Sequence, residues 1–266
     1  MQLSTIIKDV EFIAKKAGAF IREERLNFQF NLAEVKAKND LVSYVDKTSE
    51  KIIVDFLVDK YPDFGFITEE NTLTTKKEIN WIIDPLDGTT NFVHGIPCYA
   101  VSIGLEQNGN IILGVVYEVA KDESFSAFQG NGAFLNGKRI SLTTCSNLSD
   151  SLIATGFPVN NFSRMQSCLK SIEYFMRNTH GVRRIGSAAS DLCYLACGRV
   201  DAFYEYNLNS WDVAAGSIIV KEAGGKVTDF SFKDNYIFGR EIMGSNPVLF
   251  DEFSSIIHQS FSSDLN

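Results

Sequence analysis

Apolar residues recur at helical spacing at the start of the chain. Ile6, Ile7, Val10, Ile13, Ala14, Ala17 and Ile21 share one face, which predicts a long amphipathic helix over residues 4–25. A polar stretch follows, with Lys-Ala-Lys-Asn-Asp at 36–40. A second helix is predicted from Thr48 to Lys60, with Ile52, Ile53, Phe56 and Leu57 inward, stopped at Tyr61-Pro62. The pattern then shortens into strands: Phe64–Thr68, Trp81–Asp84, Tyr99–Glu106 and Ile111–Val119. Asn108-Gly109 between the last two is a hairpin signal, and Asn136-Gly137 after Ser124–Gln129 extends the meander. The first half therefore reads as helices on an antiparallel-rich sheet.

Beyond a polar stretch at 143–151 the pattern alternates. Leu152–Thr155, Arg183–Ile185, Ala202–Tyr206, Lys226–Thr228 and Glu241–Met243 read as strands. Ser163–Arg177, Ala188–Cys197, Trp211–Ala223 and Pro247–Phe261 read as helices, the third ending at a Gly224-Gly225 C-cap. Alternation of this kind argues for an α/β second half. Two subdomains are expected, 1–147 and 148–266, and the junction has no Pro/Gly linker, so they should be rigidly fused.

Composition narrows the function. A chain of 266 residues that is 45% hydrophobic can bury a full core. The formal net charge is -8 and no Lys/Arg run exceeds two residues, so direct nucleic-acid binding is not expected. An acidic protein repels anions at long range, so an anionic substrate would need bound cations to receive it. Five cysteines form no CxxC pair, and His94, His180 and His258 stand far apart, which argues against zinc. The N-terminus lacks a signal-peptide pattern and no apolar run approaches the ~20 residues that span a bilayer, so no membrane association is expected and cytoplasm is the default compartment.

Candidate chemistry lies in acids at element ends. Trp81-Ile82-Ile83 leads into Asp84-Pro85-Leu86-Asp87-Gly88-Thr89-Thr90. Asp87-Gly88 alone is more often an ordinary turn. Two further acids, Glu69-Glu70, follow another strand, and Asp212 sits at a helix start, where a capping role is the commoner one. Several such ends in one fold suit a hard cation such as Mg²⁺, which takes oxygen ligands and leaves positions for water and phosphate. Spacing alone does not show that they converge.

The run Asp84-Pro85-Leu86-Asp87-Gly88-Thr89-Thr90-Asn91-Phe92 resembles the first signature of the inositol monophosphatase family. Trp211-Asp212-Val213-Ala214-Ala215-Gly216 with Glu222-Ala223-Gly224-Gly225 resembles the second. Thr68-Glu69-Glu70 and the segment from Asp40 to Asp46 match in order, and the likeness runs from about residue 5 to 260. The resemblance implies a layered α-β-α-β-α sandwich of the sugar-phosphatase type. It implies two Mg²⁺ ions, one held by Glu69, Asp84 and the Leu86 carbonyl, the other by Asp84, Asp87 and Asp212. A third, weaker site could involve Glu70. Thr89 and Asp46 match the pair that orients the attacking water, and Glu69 also belongs to the catalytic set. Asp87, Gly88, Thr89, Gly186, Ser187, Ala188, Glu205 and Asp212 match the substrate-binding positions, and Lys36 matches a basic residue near the phosphate in some relatives.

The implied reaction is Mg²⁺-dependent hydrolysis of a small phosphorylated polyol, with myo-inositol monophosphate first. Histidinol phosphate and fructose 1,6-bisphosphate remain alternatives, as does a partner-binding role in the transcription machinery. Lithium sensitivity and a homodimer are further expectations from the family.

Overall fold

The computed structural model describes residues 2–29, 32–37 and 40–262; the side chains of residue 33 and of 35–42, Lys36 among them, lie outside the described set. Helices α1 (Leu3–Asn27) and α2 (Tyr44–Lys60) flank an antiparallel ribbon of β1 (Ala33–Ala37) and β2 (Asp40–Ser43). The first sheet comprises β3 (Gly65–Thr68), β4 (Ile79–Asp87), β5 (Ala100–Gln107), β6 (Asn110–Glu118), β7 (Glu123–Phe128), β8 (Ala133–Leu135) and β9 (Lys138–Ile140). A short helix, α3 (Thr89–His94), interrupts it after β4. These strands pair in chain order, β3 parallel to β4 and the others antiparallel.

The second half runs β10 (Leu152–Thr155), α4 (Met165–Asn178), β11 (Gly181–Arg183), α5 (Ala188–Ala196), β12 (Ala202–Tyr206) and α6 (Ser210–Glu222). It ends with β13 (Lys226–Thr228), β14 (Glu241–Ser245) and α7 (Phe250–Phe261). Its sheet has the order β11-β10-β12-β14-β13, with β10 parallel to both neighbours.

Strand alternation divides the interior into three cores. Trp81 and Ile83 of β4, with Val101, Ile103 and Leu105 of β5, pack under Val10, Ile13, Ala17, Ile53 and Leu57 of α1 and α2. Ile82 and Ala100 point the other way, into a core shared with α5, α6 and Phe203 of β12. Ala202, Tyr204 and Tyr206 turn to the outer face, against Cys168 and Phe175 of α4 and Phe253, Ile257 and Phe261 of α7. Period-two side chains on two sheets thus produce five layers, α-β-α-β-α. Helix α6 is buried at Val213 through Val220, as befits a helix apolar all round and lying between two sheets.

Three local differences from the pattern have clear causes. Helix α2 begins at Tyr44 rather than Thr48, because Ser43 caps it: its hydroxyl accepts the Val45 N–H at 3.1 Å. Ala33–Ala37 and Asp40–Ser43, read as a polar stretch, pair as the ribbon, whose pairing is local and carries no strong apolar signal. The strand near 183 occupies Gly181–Arg183 instead of Arg183–Ile185, where it is parallel to β10.

Candidate active site

Asp84 and Asp87 lie three apart on β4, so a regular strand would send them to opposite faces. The strand is not regular there. Asp84 pairs with Ser102 and Asp87 with Ala100, so β4 holds one extra residue against β5. Pro85, which has no N–H to give the ladder, sits inside this bulge. The extra residue turns Asp87 to the side of Asp84. Ligand oxygens of Asp84, Asp87 and Asp212 then lie within 4.8 Å of one another. Gly88 follows at φ 91, a conformation that favours glycine, and a Cβ there would press on the Cys98 and Gly186 carbonyls at 3.1 and 3.2 Å.

Helix starts fix these carboxylates. The Asn209 N–H donates to Asp212 Oδ2 at 2.7 Å, so Asp212 both caps α6 and joins the cluster. Ser187 Oγ and the Ala189 N–H donate to Asp87 Oδ2 at 2.6 and 2.7 Å, tying Asp87 to the first turn of α5. Ser187 also caps α5 by accepting the Ser190 N–H, so its capping and site-facing roles coexist. Asp46, buried at the start of α2, takes the Ser43 N–H and hydroxyl on Oδ2 at 2.8 and 2.6 Å. Its Oδ1 accepts Thr89 Oγ1 at 2.9 Å, and the same hydroxyl lies 3.0 Å from the Leu86 carbonyl. The positive ends of α2, α5 and α6 thus point at acids, which offsets part of their mutual repulsion. Asn91 braces the arrangement, its amide donating to the Cys98 and Ile185 carbonyls at 2.8 and 2.9 Å.

Glu69 and Glu70 follow β3, half-buried, and Glu69 lines the same cleft. Their loop is held by Glu50, a fully buried acid on α2. Its two oxygens accept the Glu70 and Thr72 N–H groups, each at 2.8 Å. No local signal in the sequence marks Glu50. By contrast, Glu222 of the second motif accepts the Gly130 and Gly132 N–H groups at 2.8 and 2.7 Å, a structural tie to the β7–β8 turn.

The same cleft is lined by Gly186, Ser187, Ala188 and Glu205, with Phe157, Arg184, Asn207 and Arg240. Arg184 lies over the Phe157 ring at 5.8 Å. Asp191, one turn into α5, is buried, and its Oδ1 has no hydrogen-bond partner among the described residues. In the sequence it stands inside the apolar run of α5.

Burial pushes the Asp84 carboxyl well above its ordinary range, reinforced by the charges of Glu69, Asp87 and Asp212. Burial likewise raises Asp87 to about 6, against the pull of Ser187 and the α5 amides. Asp212 rises to about 7, through burial and then the charge of Asp87. Burial also raises Glu205, which Arg184 partly counters. The Asp84, Asp87 and Asp212 carboxyls crowd one another within 4.8 Å, which disfavours ionising all three together. An all-oxygen donor set under this mutual repulsion fits a hard divalent cation, whose charge would offset it. Among the described residues no histidine or cysteine joins the cluster.

A profile of the inositol monophosphatase family matches residues 2–261. A protein named putative Nus factor SuhB, from Neisseria meningitidis serogroup B, is 42% identical over 246 residues, covering 92% of this chain and 94% of its own length. The solved structure of extragenic suppressor protein suhB from Bartonella henselae is similar with a TM-score of 0.89 at 38% identity, covering 95% of this chain and 98% of that one. The inositol monophosphatase from Anabaena (Nostoc) sp. PCC 7120 gives 0.85 at 34% identity, with 97% of each chain covered.

Proposed function

This chain belongs to the inositol monophosphatase family, and we propose that it hydrolyses a small phosphate monoester with Mg²⁺, myo-inositol monophosphate being the first substrate to consider. The observation that carries the reading is the convergence of Asp84, Asp87 and Asp212 within 4.8 Å, beside a Thr89–Asp46 pair. Glu69, Asp84 and the Leu86 carbonyl would hold one ion, and Asp84, Asp87 and Asp212 another. Bound there, Mg²⁺ would supply Lewis acidity toward the phosphoryl oxygens and the attacking water.

The chain's own groups do the rest. With the Thr89 hydroxyl proton directed to Asp46, its oxygen is left to accept from the water, which aims a water lone pair at phosphorus. Asp46, buried and raised by that burial, is the next stop for the proton. Backbone N–H groups of Gly88 and Thr89 would hold the phosphate. Asp87, Ser187, Ala188 and Glu205 line the side toward the polyol, with hydroxyl partners available at Asp87 and Glu205. Glu70 and Lys36 carry weaker family parallels, to a third ion and to the phosphate. The chain would act as a lithium-sensitive homodimer of two fused subdomains, 1–147 and 148–266, in the cytoplasm; among the described residues no helix is long and apolar enough to cross a membrane.

Phosphate release from inositol 1-phosphate, fructose 1,6-bisphosphate, histidinol phosphate and adenosine 3′,5′-bisphosphate, with Mg²⁺ and with EDTA, tests this. Metal-dependent release concentrated on inositol 1-phosphate is expected. Stronger release from another member reassigns the substrate, and no release from any moves the weight to a substrate outside the panel or to the partner-binding role. The relatives named Nus factor favour a second role, binding a partner in the transcription machinery. The complete acid set makes that an addition to catalysis. Retention of transcription-complex proteins by the Asp84→Asn variant would support it.

A further inference from the structure

Glu205 lies near the end of β12, and its neighbour across the sheet is the end of β10. Register pairs Ile153 with Ala202, Ala154 with Phe203 and Thr155 with Tyr204. One more step sets Gly156 beside Glu205, at the carboxyl ends of two parallel strands, where α/β sheets place ligands. Thr155 Oγ1 donates to the Tyr204 carbonyl at 2.8 Å and locks that register. Gly156 is buried, and a Cβ built on it would come under 3.0 Å from Cδ, Oε1 and Oε2 of Glu205, its three nearest atoms. Its φ lies outside the left-handed region, so the backbone does not require glycine there.

We propose that Gly156 is a positioning residue for substrate selection: its missing side chain is the seat in which the Glu205 carboxylate rests and from which it meets a substrate hydroxyl. Backbone conformation does not demand this glycine, and no main-chain atom stands among the nearest neighbours of the added carbon. What a methyl group would displace is the free end of one side chain. That end rotates easily, so the fold tolerates the methyl and the carboxylate turns out of its seat. Alanine at 156 should therefore remove the recognition contact while sparing the acids of β4 and α6. The idea rests on the polyol phosphatase reading only for its kinetic consequence; the seat itself is a structural claim.

The test compares wild type and Gly156→Ala on inositol 1-phosphate and on phenyl phosphate, which has no hydroxyl to recognise. KM for inositol 1-phosphate should rise roughly ten- to a hundredfold, the size of one hydrogen bond to a charged group. Constants for phenyl phosphate and the Mg²⁺ half-saturation should change by less than about twofold, because neither depends on that bond. In a Glu205→Ala background the Gly156→Ala change should have no further effect, since the two act as one unit. Equal losses on both substrates, or additive losses in the double variant, overturn the proposal. A crystal structure of Gly156→Ala gives an answer independent of substrate: the Glu205 carboxylate displaced on an unchanged main chain supports the seat, and an unmoved carboxylate refutes it. Should wild type ignore inositol 1-phosphate, the polyol reading falls and that structure still decides the seat. Should Gly156→Ala fail to fold, folding of the double variant with Glu205→Ala supports the clash, and failure of both variants refutes it.

Discussion

Asp87 and Glu205 are carboxylates in one cleft, and they are held by opposite means. Asp87 is gripped by donors: the Ser187 hydroxyl and the Ala189 amide at the start of α5. Asp212 and Asp46 are gripped in the same way at the starts of α6 and α2. Glu205 is shaped into place by the space over Gly156, with the Arg184 charge nearby. Donor-held acids are stiff and oriented, which suits ligands that must meet a cation at fixed distances. A shape-held acid can be redirected by one methyl group, which suits a wall whose task is to distinguish one substrate from another. The difference places chemistry and selectivity on separate supports of one cleft.

The largest expected effect comes from breaking the donor-held side. Asp84→Asn should lower kcat/KM by roughly a thousandfold or more, about 4 kcal/mol of transition-state stabilisation. Phosphate-release kinetics check this, and a loss smaller than tenfold would contradict the placing of Asp84 at the centre of the cluster. Without metal the same variant should gain less stability than wild type as pH is lowered, because one raised carboxyl no longer takes up a proton on folding.

Next in size is Glu50→Gln. It sets an amide NH₂ against one of the two backbone N–H groups that Glu50 accepts, loosening the Glu69-Glu70 loop. Mg²⁺ half-saturation should rise roughly ten- to a hundredfold, as for other residues that hold metal ligands in place. An unchanged half-saturation would mean that the loop keeps its place without Glu50.

The pH response is subtler. Asp84, Asp87 and Asp212 all have raised carboxyl pKa values, so the folded chain holds more protons than the unfolded one between about pH 4 and 7. Stability of the metal-free protein contributed by these groups therefore falls as pH rises through that window. Mg²⁺ binding requires the deprotonated acids and should strengthen over the same range. Thermal melts at pH 5.5 and 8, with and without Mg²⁺, should show the gain from metal growing with pH. A gain that shrinks with pH would reverse the sign of the account. The smallest expected change is Arg184→Ala on the shape-held side: an exposed guanidinium should alter KM by no more than about fivefold, with a salt-dependent size. A loss of kcat instead would move Arg184 to the chemical side of the cleft.

The two supports were unequally legible. The donor-held acids stand in contiguous runs, so Asp84, Asp87, Asp212, Glu69 and Asp46 could be picked out with their neighbours. That Asp84 and Asp87 share a face was not readable from period, since three residues along a strand implies opposite faces; it takes the bulge at Pro85. Glu50, Asp191 and Gly156 carried no signal, because each acquires meaning from a partner far away in the chain: the Glu70 loop, Glu205 or the end of β12. Long periodic elements such as α1 and the β5–β6 hairpin were plain in the pattern. The layering was implied by family resemblance, and in the structure it follows from alternate residues of β4 and β12 entering different cores.

The measurement that bears most directly on the cluster is calorimetric titration of Mg²⁺ into wild type and Asp84→Asn at pH 8. The account predicts saturable binding by the wild-type protein and its loss, or a weakening of roughly a hundredfold or more, in the variant. Equal binding by both proteins would contradict the claim that these acids form a metal site.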